Sequence, residues 1–214
     1  MSNKEVLSVI VGLLMLFVIF SLEFVFKGDL SRLLEIFVYS VILIFVYVFI
    51  KKGTAYLLDS SVEHKVWNVY QFWFKPDYHF KKEVPFGIVL PLLLSVFSLG
   101  IFKFPTVLTY ESRALKHRAA KRYGYYSFTE MTDWDNGLIG ASAIVALLLV
   151  SIIGYIFGFE YLSKMAAYFA LLNMIPISNL DGTQIFFGSR IIWSVLAFIS
   201  LIFALYTFML GATF

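Results

Sequence analysis

Six apolar runs, at about 6–26, 33–50, 86–102, 137–159, 166–177 and 185–210, divide the chain, with polar stretches between them. A helix needs roughly 20 apolar residues to cross a bilayer, so the first, second, fourth and sixth runs predict transmembrane helices. The run at 86–102 is shorter and carries Pro91, Ser95, Ser98 and Gly100, which fits a re-entrant or internally buried helix better than a lipid-facing span. The run at 166–177 breaks at Asn173 and Pro176 and leads into Leu180-Asp181-Gly182. The two pieces together predict one discontinuous crossing. Alternation around Tyr123, Tyr125, Phe128 and Met131 predicts short strands beside the membrane. The expected fold is an all-α integral membrane protein of about five to six transmembrane or re-entrant helices with a small cytoplasmic β element. Residues 1–32 form an N-terminal transmembrane helix, and 33–214 form a membrane core with a cytoplasmic insertion at about 103–136.

Composition sharpens this picture. The chain of 214 residues is 60% hydrophobic and 14% charged, with a mean hydropathy of +0.84, against about 45–50% apolar and 25% charged in ordinary soluble domains. The first run is too long for the roughly 7–15-residue core of a secretory signal and lacks a small-residue cleavage site, which predicts a retained helix. Twelve of the 17 Lys and Arg lie in 51–85 and 103–136, on either side of the short apolar run. If that run dips in and returns, both basic loops face the cytoplasm, as the positive-inside rule favours. Their expected partner is anionic lipid, and nothing in the chain supports nucleic-acid binding. With no Cys, the available nitrogen ligands are His64, His79 and His117.

An Asp and a broken helix inside strongly apolar sequence require an explanation, because an ionisable group at membrane depth is costly and faces protein or water. The residues Asn173-x-x-Pro176-x-x-x-Leu180-Asp181-Gly182 resemble the second metal-site motif of the site-2 proteases, the intramembrane zinc metalloproteases of the M50 family, at every position. The resemblance implies that Asp181 stands at the third zinc ligand, and that a His-Glu-x-x-His motif on an earlier core helix supplies the other two ligands and the general base. That motif is absent. If the second helix continues through Tyr56–Trp67, Asp59 and Glu63 stand at the ligand positions about 40° apart, with Ser60 at the catalytic Glu. His64 then lies about 100° round from Glu63. A second register, aligned on His117, puts Arg113 and Ala114 at the first His and the Glu. Either register lacks the base. Ser142, Ala143 and Ala146 stand where active members carry Gly, Pro and Asn, while Thr132, Asp133 and Asp135 suit the start of a helix.

These residues predict a degenerate, non-catalytic relative that binds a transmembrane or juxtamembrane segment of a partner where active members bind substrate, located in the cell membrane. Two other readings remain open on sequence alone. One is an active metalloprotease whose unusual ligands are Asp59, Glu63 and Asp181, helped by His64, and whose carboxylates favour a hard divalent cation over zinc. The other is a small transporter or channel using an Asp181–Arg190 charge pair. Asp181 itself is expected to meet free backbone N–H groups where the chain restarts after Pro176, or to share a proton with Asp59 or Glu63. Gly182 is expected to supply a flexible backbone position.

Overall fold

The computed structural model describes residues 2–71, 79–115 and 131–211. Helix α1 (Asn3–Lys27) starts where the Ser2 hydroxyl accepts from the Glu5 N–H at 3.2 Å and ends at Gly28, whose φ of +76° suits a residue without Cβ. In the following turn the Ser31 hydroxyl donates to Asp29 at 2.6 Å and holds that exposed carboxyl below its ordinary range. Helix α2 (Leu33–Leu57) then runs back along α1. Helix α4 (Asp133–Ile156) opens with Thr132 accepting from the Asp135 N–H at 3.2 Å, the cap expected from Thr132, Asp133 and Asp135. With α7 (Arg190–Gly211), these are the four described helices long and apolar enough to cross a membrane.

The chain between α2 and α4 makes one long excursion. Strand β1 (Ser60–Val66) pairs antiparallel with β4 (Leu108–Ala114) in a register running from Ser60↔Ala114 to Val66↔Leu108. Between them lie β2 (Val69–Gln71), β3 (His79–Val84) and the 12-residue helix α3 (Phe86–Phe97). The β1–β4 pair starts beside the end of α2 and lies along α1. His64 meets Glu5 near the start of α1, whereas Leu108 packs where a Cβ on Gly12 would sit. Beyond α3, Gly100 meets the backbone of Glu23, and Lys103 Nζ lies 2.6 Å from Glu23 Oε2. Glu5 and Glu23 are separated by about 27 Å of helix. The excursion therefore reaches almost from one end of α1 to the other, yet Leu115 N–H donates to Asp59 O at 3.0 Å, where the excursion began.

Helix α3 leads from the level of Trp67 towards that of Glu23, and the chain after Lys103 leads back to β4. The strands fall at 60–66, 69–71, 79–84 and 108–114, and the strands read at Tyr123–Phe128 lie outside the described residues. Part of the stretch assigned to a cytoplasmic insertion belongs to the core, since Leu108 is 2% exposed and joins the main apolar cluster. Two cations counted in the basic loops are elsewhere: Lys103 is at the opposite end of α1, and Lys51 is fully buried inside α2. Each has a carboxylate partner, Glu23 for Lys103 and Asp181 for Lys51, as a charge withdrawn from water requires.

The helix break expected at 173–182 forms. Helix α5 (Glu160–Asn173) starts beyond the far end of α4 and packs along it, and α6 (Asp181–Gly188) continues the path back, with a turn at 174–180 between them. Gly188 approaches Gly137 closely enough that a Cβ on Gly137 would lie 3.1 Å from Gly188 Cα. Small residues at this α4–α6 contact allow the close backbone approach that membrane helix pairs favour. Because the chain lacks Cys, single replacements report sidedness cleanly. Ser61→Cys is expected to label with an impermeant maleimide from one face of the membrane, and Ser31→Cys and Glu160→Cys from the other. Labelling of all three from one face would contradict the bundle as a spanning unit.

Candidate functional site

Asp181 is the first residue of α6 and is fully buried. Its carboxylate meets α2 side chains instead of helix N–H groups. Lys51 Nζ lies 2.7 Å from each carboxylate oxygen, and Tyr47 OH donates to Oδ2 at 2.9 Å. Lys51 is fully buried as well, and its ammonium stands 3.8 Å from the ring centroid of Tyr47 and 4.2 Å from that of Tyr110. Two aromatic faces thus add cation–π attraction to the ion pair. Four residues separate Tyr47 from Lys51, about 40° around a helix, so one face of α2 delivers both to Asp181. The counter-ion is Lys51, and not Arg190, whose guanidinium lies 5.6 Å from the Phe186 ring centroid.

The rest of the motif builds the turn that holds Asp181. Asn173 ends α5, and its Nδ2 donates to Phe169 O at 2.8 Å while Oδ1 is buried without a partner. Pro176 lies in the exposed part of the turn, and Leu180 is fully buried just before α6. Trp193 Nε1 donates to Met174 O at 2.9 Å and satisfies a carbonyl left free at the end of α5. Gly182 is required by proximity, since a Cβ there would collide with the Met174 carbonyl and come within 2.8 Å of Ile175 O. Its φ is not positive, so the expected flexible backbone position is a tight backbone contact.

The residues read as degenerate ligands are dispersed. Helix α2 stops at Leu57, Asp59 takes a left-handed φ of +50°, and the strand begins at Ser60. Asp is among the few residues that adopt this conformation readily. The helical register through Asp59, Ser60 and Glu63 therefore does not form, and Arg113 and Ala114 of the second register lie in β4. Ser60 Oγ donates to Ala55 O at 2.9 Å, while Glu63 is half-exposed on the opposite strand face from His64, 4.0 Å from Arg113. His64 is buried with Nδ1 3.2 Å from Glu5 Oε1, an oxygen that Lys52 Nζ also reaches at 2.7 Å. Among the described residues, no three His, Asp or Glu gather as a metal site would require. An ammonium already bridges both oxygens of Asp181 and would repel a divalent cation there.

Beside this buried pair, a polar groove of about 510 Å³ separates β4 from 178–187. Strand β4 is hydrogen-bonded to β1 along one edge. From the far side of the groove Gln184 Nε2 donates to Tyr110 O at 3.1 Å, and Thr109 donates to Asn179 O. Tyr110 OH donates to Asn136 O at 2.6 Å. Tyr110 thus stands between the Lys51–Asp181 pair and the groove, a role that nothing in its local sequence announces. Lys51 and Tyr47 leave one trace in the sequence, their i, i+4 spacing on the core helix, which the position of Lys51 beside Lys52 at the end of an apolar run obscures. Comparison of the chain with models of known protein families, with curated proteins and with solved structures finds no match in any of the three.

Proposed function

We propose that the chain is a multi-pass protein of the cell membrane, a non-catalytic relative of the site-2 proteases, which holds a membrane-embedded or juxtamembrane segment of a partner protein in the groove between β4 and 178–187. The buried Lys51–Asp181–Tyr47 cluster carries the reading. In the family that Asn173–Gly182 resembles, two His four residues apart on a core helix meet this Asp through zinc. Here Tyr47 and Lys51, also four apart on a core helix, meet Asp181 directly. The ammonium supplies the positive charge that the metal would bring and holds α2 against α6 without a water-activating centre. Val48, next to Tyr47 where that motif has its Glu, has no group to act as general base. Purified protein is accordingly expected to leave a transmembrane test substrate uncut, with or without added zinc, and zinc-dependent cleavage would contradict the reading.

The groove supports the binding half of the proposal. Its wall is strand β4, paired with β1 along one edge, and across the groove Gln184 already makes to the Tyr110 carbonyl the kind of backbone contact that an extended segment makes to a strand edge. Phe187 lines it and is 69% exposed. A p-benzoylphenylalanine at 187, irradiated in native membranes, is expected to capture a polypeptide, with the adduct mapping to a transmembrane or juxtamembrane segment. Asn179→Trp, which fills the groove from the turn that precedes α6, is expected to abolish capture. An adduct that survives Asn179→Trp, or that maps to a soluble domain, would contradict this reading.

A further inference from the structure

The register of the β1–β4 pair fixes which backbone groups of β4 face the groove. Trp67 N–H donates to Val107 O at 2.8 Å and Leu115 N–H donates to Asp59 O at 3.0 Å, each between residues that stand opposite one another when the register is continued. Antiparallel strands alternate bonded and non-bonded pairs. Thr109, Glu111 and Arg113 therefore turn their backbone groups towards β1, whereas Leu108, Tyr110 and Ser112 turn theirs away from it. On that outer edge Gln184 Nε2 donates to Tyr110 O at 3.1 Å. Gln184 is a half-buried residue of α6, and its amide supplies to β4 the N–H that a neighbouring strand would supply.

We propose that Gln184 is an autoinhibitory clasp, which closes the groove by occupying the strand edge and which an extended partner segment must displace in order to bind. Tyr110 and Ser112 both line the groove, and a segment pairing with this edge needs the Tyr110 carbonyl that Gln184 holds. The two donors compete for one acceptor. Release asks little of the fold. Asp181, three residues before Gln184, is held by Lys51 and Tyr47, and Gly182 is seated against the Met174 carbonyl. Helix α6 thus stays in place while one side chain turns aside, and Asp133, Asn136 and Thr183, which also line the groove, keep the freed amide among polar groups. The other contact across the groove differs in kind. Thr109 donates to the backbone carbonyl of Asn179, so breaking that contact frees a main-chain acceptor in the turn before α6, and it bounds the groove instead of gating it. The inference rests on the partner groove proposed above, but not on the absence of catalysis.

Photocrosslinking of the full chain in native membranes tests it, with p-benzoylphenylalanine at 187 as the probe and two variants at 184. Gln184→Leu keeps the bulk of the side chain and removes the donor. Gln184→Glu keeps its shape, removes the donor and sets a carboxylate against the carbonyl. Both are expected to raise polypeptide capture about fivefold at equal protein level, the effect of one competing hydrogen bond, with the adduct mapping to the same partner segment as in the parent. Thermal unfolding in detergent checks that each variant folds, and Gln184→Met or Gln184→Ser stands in for the Leu or Glu variant if it does not. Polypeptide capture by neither the parent nor the variants would refute the partner groove and the clasp with it. Capture by the parent that both variants leave unchanged or lower would overturn the clasp alone, a fall marking Gln184 as a contact for the partner. A rise with Gln184→Leu and none with Gln184→Glu would also overturn it, because added apolar surface and not the lost donor would then be the cause.

Discussion

Asp181→Asn is expected to destabilise the protein by about 3–5 kcal/mol, the usual cost of removing one partner from a buried ion pair. The variant keeps the shape of the side chain and an acceptor for Tyr47, but leaves the Lys51 ammonium without its carboxylate in a site with no solvent exposure. Lys51→Met should be damaging for the complementary reason, stranding Asp181. The double variant Lys51→Met/Asp181→Leu discards both charges. Replacing a buried pair by apolar side chains is often neutral or stabilising, so it should recover most of the stability lost by either single variant. Thermal unfolding in detergent measures all three, and a melting temperature for Asp181→Asn close to that of the parent would remove the ion pair as a structural element. A capping role for Asp181 predicts the opposite, a mild Asn variant and an indifferent Lys51.

Gly182→Ala is expected to lose about 3 kcal/mol, at the upper end of ordinary overpacking costs, or more, because the new methyl meets backbone. The Met174 carbonyl belongs to the turn that positions Asp181 and also accepts from Trp193, so displacing it disturbs α5, α6 and α7 together. Gly53→Ala provides the contrast. Gly53 lies in α2 with nothing within 4 Å of a built Cβ, so the change should be neutral or stabilising by up to about 1 kcal/mol through helix propensity. The same unfolding experiment compares them, and equal melting temperatures for the two variants would contradict the close approach at Gly182.

The four long apolar helices were the most legible part of the fold, because the length a bilayer would require is readable as an unbroken apolar run. Asn173, Pro176 and Gly182 marked the break between α5 and α6 because few residues end a helix that way. The strands at 60–66 and 108–114 were harder to read. Their alternation is only seven residues long, and Ser60–Val66 follows α2 after the single left-handed residue Asp59. Continuing the helical period through that turn placed Asp59 and Glu63 at a site they do not form. Asp181 was legible as the centre of the site because a carboxylate in apolar sequence needs a partner, but the partner was not. Lys51 stands beside Lys52 at the end of an apolar run, where a cation ordinarily marks a loop. The structure separates the two residues: Lys52 reaches Glu5 at the rim, whereas Lys51 turns inward with Tyr47. Which of two adjacent lysines faces the core depends on the helices packed around α2, information that lies far away in the sequence.

On the proposed reading Lys51 stands where a metal would otherwise hold Asp181, and elemental analysis of protein purified without chelator distinguishes the two. Zinc and other divalent metals are expected far below one ion per chain, even after dialysis against zinc, because the Lys51 ammonium bridges both carboxylate oxygens. One tightly held ion per chain, lost when Asp181 is replaced by alanine, would contradict it.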